Sequence, residues 1–505
     1  MPSATTPRRA LITACIMLAT FMQALDTTIA NVALPFMQGS LSASQDQINW
    51  VLTSYIVASA IAMPATGFLA TRFGLKQLFL AAVVGFTIAS MLCGIATSLE
   101  EIVLFRLLQG VFGAALVPLS QTVLFQIYPI ERRGHAMAIW GVGIMFGPII
   151  GPTLGGWLTD TLNWRWVFFI NIPFGVLTFV GLSAVLSETR ANIGQRFDWF
   201  GFLLLAMAIG SLQLALDRGE QLDWFGSTEI IAELVLAGLC LYLFIVHMLT
   251  GKDPFLHPSL FRDRNFNLGL VFIFTTGTIM LASMALMTPF LQNLMGYPAL
   301  TAGMVMAPRG AGTMFSMFLA SRLLGKLDAR LIIAIGLMLA GWSLYDMAQY
   351  TPDVSEGRMI LSGFAQGTGM GLMFVPLSTI TFATLTPHFH TVGTALYSLL
   401  RSLGSSIGIS IIISLLLRST QINHAVLVEQ INPFNPLARN LPGPWSLDHL
   451  SGLALLDGEI TRQATAISFS NDFWLMMFVT LAAMPLLLLM RPPQRRAGGP
   501  AVAAD

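Results

Sequence analysis

The sequence predicts an all-α polytopic membrane protein with fourteen transmembrane helices: two six-helix bundles and two helices inserted between them. Three observations predict this fold class: the composition, the number of long apolar runs, and a repeat that relates the two ends of the chain. Of the 505 residues, 55% are hydrophobic and only 10% are charged, with a mean hydropathy of +0.73. Soluble proteins carry about 25% charged residues, so this chain has too few charges to cover a soluble globule.

The composition also excludes several classes of function. The net charge is only +1, which gives no basic surface for a nucleic-acid partner. The three cysteines (Cys15, Cys93 and Cys240) lie inside apolar runs, which argues against a disulfide framework or a zinc site. The sequence contains no His-Glu-x-x-His pair and no phosphate-binding Gly-x4-Gly-Lys-Ser/Thr loop. We therefore expect no metal and no cofactor, and neither a membrane enzyme nor an ATP-driven pump.

Fourteen runs are long enough to cross a bilayer, which takes about 20 apolar residues. They lie near residues 11–35, 50–70, 78–98, 102–127, 136–159, 166–187, 199–217, 228–250, 267–293, 301–323, 331–350, 357–384, 392–418 and 472–490. Most connections are short, and the exception is the polar stretch 419–471. Its Asn432-Pro433, Asn435-Pro436 and Pro442-Gly443-Pro444 segments make it unsuitable for crossing a bilayer, so we predict a loop there.

The distribution of lysine and arginine predicts the orientation, because cytoplasmic loops carry an excess of both. With the N-terminus in the cytoplasm, most of the 26 basic residues fall on the cytoplasmic side, and three (Arg106, Arg309 and Arg401) fall inside spans. An even number of spans then places both termini, including the tail 492–505, in the cytoplasm. The first run follows Arg8-Arg9 like a signal peptide, but thirteen more runs follow it, so we interpret it as an uncleaved helix.

An internal repeat divides the chain. Residues 68–72 (FLATR) after the second run recur as 318–322 (FLASR) after the tenth, and Gln109-Gly110 in the fourth run recurs as Gln366-Gly367 in the twelfth. We therefore predict bundles at 1–190 and 266–491, with two inserted helices in 191–265; chance similarity between apolar helices is the alternative. Repeats of this kind place a substrate site at their interface near the middle of the membrane.

Two charged residues are predicted to lie at the same depth. Asp26 lies about 21 Å from the cytoplasmic side at 1.5 Å per residue. Arg106 lies near the start of a run that descends from outside, or about 22 Å up a ~30 Å core. A charge at the bilayer centre costs about 2.5–3.5 kcal/mol on insertion scales, so it usually faces a partner or a water-filled cavity. We expect the two to share one aqueous cavity, to pair and to couple transport to protons; a fixed ion pair that only joins two helices is the alternative.

Other side chains are assigned to a substrate cavity or to gating. The predicted substrate cavity comprises Asn31, Gln109, Met284, Met287, Arg309 and Gln366. Methionines form a pliable apolar wall, although their pattern favours ordinary packing, and Arg309 could instead reach the membrane interface.

The fifth run carries glycines at four-residue spacing, which clears one helix face for close approach of a neighbouring helix. Its Pro148 and Pro152 each remove a helical hydrogen bond. We expect Gly147, Pro148, Gly151 and Pro152 to form a bent gating helix at the seam between the bundles; simple tight packing is the alternative.

The chain resembles the major facilitator superfamily, specifically its fourteen-helix drug:proton antiporters. The segments that carry the resemblance are the first-helix motif at 25–35, the loop 2–3 motif at 67–76, the fourth-helix motif at 106–110, the antiporter motif at 143–156 and a further signature at 164–173. The loop 2–3 motif implies a gating role for Arg72 and Gly74, but Thr71 stands where an acid is usual and Leu75 where a base is usual. The antiporter motif occurs in exporters and not in importers.

The resemblance implies a proton-coupled antiporter that exports lipophilic small molecules or drugs across the bacterial inner membrane by alternating access. The long loop at 419–471 and the segment 462–474 are most similar to the inner-membrane pump of tripartite multidrug efflux systems. That likeness implies a periplasmic adaptor and an outer-membrane channel as partners, besides protons, the substrate and membrane lipids. Export of a dedicated natural product such as a siderophore or lipid precursor is one alternative, and a proton-coupled importer is a weaker one.

Overall fold

The computed structural model describes residues 6–188, 197–251, 254–324, 326–431, 435 and 449–491, and every regular element in these segments is helical. Fourteen long helices, α1 to α14, follow the fourteen predicted runs. They are α1 Thr6–Ser40, α2 Trp50–Ala62 with Ala65–Phe73, α3 Leu75–Ile95, α4 Leu99–Gly113 with Leu116–Ile127, α5 Ile130–Thr161, α6 Asn171–Val185, α7 Trp199–Arg218, α8 Thr228–Thr250, α9 Arg264–Pro289, α10 Ala299–Leu323, α11 Ala329–Met347, α12 Glu356–Thr381, α13 His390–Glu429 and α14 Leu450–Ala482.

The length and hydropathy of these helices suit a membrane protein. Within the described segments, twelve helices are long and apolar enough to cross a bilayer, and the two parts of α2, bent by 58°, make a thirteenth span. The remaining helix, α10, has 25 residues and is long enough, but Pro308 and Arg309 lie within it. The predicted all-α polytopic fold is confirmed.

Prolines explain the breaks in α2 and α4. Pro64 separates the two parts of α2, and Pro118 follows the break in α4 at Ala114 and Ala115. A proline removes one helical hydrogen bond, and its ring crowds the carbonyl of the residue four positions earlier, which for Pro118 is Ala114. The break in α4 therefore lies one turn beyond Gln109 and leaves Arg106 and Gln109 on a regular helical segment.

The two six-helix halves, α1–α6 and α9–α14, meet near one face of the membrane. The start of α1 contacts the end of α4 through Thr13 and Tyr128, whose hydroxyls lie 3.0 Å apart, and Asn265 Nδ2 at the start of α9 donates to the Arg491 carbonyl at 2.9 Å. We call the face that carries these contacts the terminal face, and the other side is the far face. Near the terminal face Thr122 and Thr394 hydroxyls lie 2.8 Å apart, and the Phe125 and Phe382 rings lie 4.9 Å apart. These contacts close the two halves against each other at the terminal face.

Toward the far face, α1 carries polar side chains on an exposed stripe. Thr27 and Asn31 are exposed at four-residue spacing, and Gln23 is half-buried one turn earlier. Polar groups facing lipid are unfavourable, so we infer that this stripe lines a cavity between the halves that opens toward the far face.

The inserted pair, α7 and α8, bridges the two halves at one side. Serines at four-residue spacing on α13 bind α7 and the turn after it: Gln213 Nε2 donates to Ser406 Oγ (3.0 Å), Ser410 Oγ donates to the Leu216 carbonyl (2.9 Å), and Trp224 Nε1 donates to Ser414 Oγ (2.6 Å). On the other half, the Arg218 guanidinium lies 5.6 Å from the centroid of the Trp50 ring at the start of α2.

Replacing two of these serines tests how the insert is held. We expect the double variant Ser406→Ala, Ser410→Ala to lower the free energy of unfolding by about 1 kcal/mol, because hydrogen bonds between transmembrane helices average about 0.6 kcal/mol each. Thermal unfolding of the purified protein measures this. Ser321→Ala, which loses only a bond to its own turn on α10, is the matched control. Equal losses in both proteins would show that the serines do not hold α7.

The prediction of a loop throughout 419–471 is wrong. Helix α13 continues to Glu429 and α14 begins at Leu450, while the proline-rich segments, apart from Asn435, lie outside the described residues. The 40 residues of α13 extend about 60 Å, twice the ~30 Å hydrocarbon core, so the helix projects beyond the membrane at the far face. Polar contacts pair the two extensions, including His424 Nε2 to Asp457 Oδ1 at 3.0 Å. Polar side chains keep such a segment out of the lipid, but they do not prevent it from forming a helix.

Candidate proton-coupling site

An ion pair lies inside the first half of the protein. Arg106 Nη1 on α4 donates to Asp26 Oδ2 on α1 at 2.7 Å. Asp26 is 1% exposed and Arg106 is 0% exposed. The predicted pairing is therefore present, and the equal depths estimated from helical rise correspond to direct contact.

Two neutral amides complete the coordination of the carboxylate. Gln109 Nε2 and Asn171 Nδ2 each donate to Asp26 Oδ1 at 2.8 Å. Gln109 Oε1 also accepts from Arg106 Nη1 at 2.7 Å, which closes a ring of three side chains. Asn171 Nδ2 is further bonded to Ser90 Oγ on α3 at 2.9 Å, so helices α1, α3, α4 and α6 all contribute to one network.

The arginine has partners besides the carboxylate. Its Nε donates to the Val51 carbonyl on α2 at 3.0 Å, and its guanidinium lies 4.3 Å from the centroid of the Tyr55 ring. A buried ion pair is stable only where further hydrogen bonds satisfy its polar atoms, and removal of one partner leaves an uncompensated buried charge. Every helix of the first half except α5 therefore supplies a group to the network. Helix α5 packs against α1, which carries Asp26.

In the part of the chain that the structure describes, the pair is enclosed and does not face the expected aqueous cavity. Both side chains are enclosed by the first half, whereas the exposed polar stripe with Thr27 and Asn31 lies on another face of α1. The reason is packing: a face with Asp26, Ile29 and Ala30 turns inward, and all three are buried. Helical rise predicts depth along a helix, but only contacts with neighbouring helices determine which face turns inward.

The glycines of α5 set how closely α1 approaches, and they lie within the first half rather than at the seam between halves as predicted. A Cβ on Gly147 would lie 2.7 Å from Ala24 Cβ, and one on Gly151 would lie 2.1 Å from Thr28 Oγ1. Thr28 Oγ1 also donates to the Gly147 carbonyl at 3.3 Å. The contact of α5 with the second half uses a different face, where Gly141 lies against Met317. Helix α5 runs unbroken through Pro148 and Pro152.

The residues assigned to a substrate cavity separate into groups. Gln109 belongs to the ion-pair network and does not line a cavity, and Met287 is 5% exposed and packs in the core of the second half. Asn31 is exposed, Met284 and Arg309 are half-buried, and Gln366 is fully buried. Cavity assignments for Gln109 and Met287 are therefore corrected.

The two gating residues of the loop 2–3 motif lie at the terminal face. Arg72 is in the last turn of α2, and its guanidinium lies 5.9 Å from the centroid of the Phe73 ring. Gly74 takes a φ of 91°, a left-handed conformation that favours glycine, and turns the chain from α2 into α3. Both lie close to the contacts that join the halves, since a Cβ on Gly67 of α2 would lie 2.7 Å from the Val392 backbone of α13.

Sequence reasoning missed Asn171 and Ser90 as functional candidates. Both are uncharged residues in apolar surroundings, and a search for intramembrane charges does not select them. The signal that existed was the signature at 164–173, which contains Asn171 but gave it no role. The contact of Asn171 with Asp26 arises because the start of α6 faces the carboxylate of α1.

Two six-helix halves with an enclosed intramembrane ion pair are characteristic of a secondary transporter. The sequence model of the Major Facilitator Superfamily matches residues 16–409. The chain is 37% identical over 488 residues to the multidrug export protein EmrB of Haemophilus influenzae, covering 96% of each chain. It is 36% identical over 494 residues to the fatty acid resistance protein FarB of Neisseria gonorrhoeae, covering 97% of each.

Among solved structures, the human organic anion transporter MFSD10 (TETRAN) matches with a TM-score of 0.61 and 14% identity, over 94% of this chain and 100% of that one. At this identity the match shows the fold alone. The chain belongs to the major facilitator superfamily, and its resemblance to the drug:proton antiporters is confirmed. It is a multi-pass membrane protein of a transporter family.

Proposed function

We propose that the protein is a proton-coupled antiporter that exports lipophilic small molecules across the bacterial inner membrane by alternating access. The observation that carries this proposal is the buried ion pair between Asp26 and Arg106. Among the described residues, it is the one ion pair that joins two spanning helices of the first half. Relatives that span nearly the whole chain are named for multidrug export and for fatty acid resistance, which supports export of amphiphilic compounds.

Protonation of Asp26 supplies the switch. A neutral carboxyl loses the charge-assisted bond to Arg106 and leaves that cation enclosed without a counter-charge. The packing of α1 against α4 seen here is then destabilised relative to an alternative arrangement, and the population shifts toward the latter. Substrate acts on the same helix from its other side, where Thr27 and Asn31 face the cavity. Proton and substrate thus compete through the position of α1.

The membrane potential contributes about 2.3 kcal/mol per charge per 100 mV, so one or two protons per cycle sustain a substantial substrate gradient. The direction of transport is tested in everted membrane vesicles whose interior is acidified by respiration. An antiporter accumulates a fluorescent lipophilic substrate inside these vesicles, relative to vesicles without the protein. Depletion of substrate from the vesicles would instead identify a proton-coupled importer.

Asn171 is expected to contribute to coupling through its bond to Asp26. Its replacement in Asn171→Ala removes one donor to a buried carboxylate, and such bonds are worth about 1.5–3 kcal/mol, so we expect proton-coupled transport to fall roughly 10- to 100-fold. Thr178→Ala, a buried polar residue two turns later on α6, is the matched control. Transport in proteoliposomes measures both. Equal activity of Asn171→Ala and the wild type would remove Asn171 from the mechanism.

We propose an orientation with both termini in the cytoplasm and the paired extensions of α13 and α14 in the periplasm. These extensions are the surface we assign to contact with a periplasmic adaptor, which would connect the protein to an outer-membrane channel. Single cysteines test the orientation because Cys15, Cys93 and Cys240 are buried. In spheroplasts, a membrane-impermeant maleimide should label Asp457→Cys and spare Lys326→Cys until the membrane is opened. The reverse pattern would invert the topology.

A further inference from the structure

The second half contains an intramembrane cation that no described acid neutralises. Arg309 is the eleventh residue of α10, about 15 Å below its far end. Its Nη2 donates to the Met280 carbonyl and to Ser283 Oγ on α9, both at 2.8 Å. Among the described residues, no ion pair includes Arg309, whereas Arg106 in the first half is paired with Asp26.

The guanidinium also keeps free donors. Its hydrogen bonds within the described chain all come from Nη2, and neither Nε nor Nη1 is among the buried polar atoms that have no partner. Those two nitrogens therefore face open space. Arg309 itself is half-buried at mid-membrane depth, where a charge that faces lipid is unfavourable, so we infer that these nitrogens face the space between the halves.

The position of Arg309 is fixed by a tight helix contact. A Cβ on Gly367 of α12 would lie 1.9 Å from the Arg309 carbonyl oxygen, so only glycine permits this approach. The residue before it, Gln366, is 0% exposed, and neither its amide nitrogen nor its amide oxygen has a hydrogen-bond partner among the described residues. This conformation therefore leaves a buried amide unsatisfied one residue from the contact.

Apolar side chains flank the cation. Met280 and Met284 are half-buried on α9 one turn apart, and Met306 is half-buried on α10 one turn before Arg309. The Met306 sulfur lies 3.9 Å from Thr288 Oγ1, which brings the two helices together. Methionines adapt to ligands of varied shape, so the site combines one positive charge with a pliable apolar wall.

We propose that Arg309 binds the acidic head group of an amphiphilic monoanion, such as a long-chain carboxylate, whose chain packs against Met280, Met284 and Met306. The Nε–H and Nη1–H groups, which donate to nothing within the described chain, can each give a carboxylate a charge-assisted hydrogen bond. This inference rests on the proposed export function and specifies its substrate class. It also has an electrical consequence: the anion leaving and the proton entering both move charge down an inside-negative potential.

Ligands that differ only in head-group charge test the proposal. The purified full chain in nanodiscs is titrated with a fluorescent sixteen-carbon carboxylate, its methyl ester and the matching trimethylammonium compound. We expect the wild type to bind the carboxylate at least tenfold more tightly than the ester. Equal affinity for the carboxylate and the ester, or preference for the ammonium compound, would overturn the proposal.

Variants then test whether Arg309 is responsible for the preference for the carboxylate over the ester. Arg309→Met should remove the tenfold preference and leave ester binding within twofold, while Arg309→Lys should retain part of it. Arg401→Met, the matched loss of an intramembrane arginine on α13, should retain all of it. A preference lost equally in Arg309→Met and Arg401→Met would indicate a general charge effect and contradict the assignment. If Arg309→Met does not fold, the ligand series on the wild type and the Arg309→Lys variant still test whether Arg309 binds the carboxylate.

Binding and transport separate this inference from the proposed function. If the wild type prefers the carboxylate but moves no substrate against protons, the export function fails and the anion site stands. If substrate exchange is proton-coupled but the protein does not distinguish the carboxylate from the ester, the export function stands and the anion site fails. In transport-competent proteoliposomes, a potassium diffusion potential, negative on the cytoplasmic side, should accelerate carboxylate export more than ester export in the wild type.

Discussion

Asp26→Asn is expected to abolish proton-coupled export, with at least a 100-fold loss, while the purified protein remains folded. An asparagine occupies the same volume and still accepts hydrogen bonds from Gln109 and Asn171. It takes up no proton and leaves Arg106 without a counter-charge, so the variant is held in the arrangement that a protonated carboxyl favours. Breaking a buried pair costs about 3–5 kcal/mol, which shifts a two-state equilibrium by more than 100-fold.

Proteoliposomes measure this prediction in two modes. Net transport driven by a pH gradient should disappear in Asp26→Asn, and exchange of labelled for unlabelled substrate should fall as well, because both modes need the protein to alternate between its two arrangements. Asp346→Asn is the matched control, because Asp346 forms an ion pair with Arg358 at the far end of α11 and α12, outside the network. If Asp26→Asn still exchanges substrate for protons, the pair with Arg106 only joins two helices.

Gly147→Val is expected to reduce transport at least tenfold and to lower stability by about 1–3 kcal/mol, the usual cost of overpacking. A Cβ at this position would lie 2.7 Å from Ala24 Cβ and 2.9 Å from the Leu25 nitrogen, so the clash is with the α1 backbone and no side chain can turn away. To relieve this clash, helix α1 must move away from α5 at Leu25, the residue that directly precedes Asp26. The bonds of that carboxylate, all between 2.7 and 2.8 Å, would then be strained or broken.

Gly156→Ala on the same helix is the control, since a Cβ there meets nothing within 4 Å. Thermal unfolding and transport in proteoliposomes should leave Gly156→Ala near the wild type. A Gly147→Val protein with wild-type transport would show that close approach of α1 and α5 is not needed. It would also mean that the glycines of this helix serve packing without any influence on the ion pair.

The pairing of Asp26 with Arg106 could be predicted from the sequence because helical rise alone fixes depth in a bilayer. The burial of the pair could not, because it depends on the face that α1 turns toward α4 and α6. That face is set by the glycines of α5, and their partner helix cannot be identified from spacing. Asn171 was missed for a related reason: its role depends on where α6 starts relative to α1, and an uncharged side chain carries no hydropathy signal.

The repeat also showed its limits. It aligned Gln109 with Gln366, each the eleventh residue of its helical segment, but the two side chains differ in their partners. Gln109 lies between Asp26 and Arg106, while the position that matches Arg106 is Gly363, and Gln366 has no hydrogen-bond partner among the described residues. A shared motif therefore predicted a shared helix position and not a shared environment. The prediction of a loop at 419–471 was wrong for a different reason. A polar composition disfavours contact with lipid, but it allows a helix that pairs with its neighbour outside the membrane.

The most direct test of proton coupling at Asp26 is substrate-induced proton release from the purified protein in a weakly buffered solution. A carboxyl that is protonated when substrate is absent and ionised when substrate is bound must release protons in proportion to the substrate that binds. We predict such release from the wild type and from Asp346→Asn, and none from Asp26→Asn. Equal release from the wild type and Asp26→Asn would contradict the central claim.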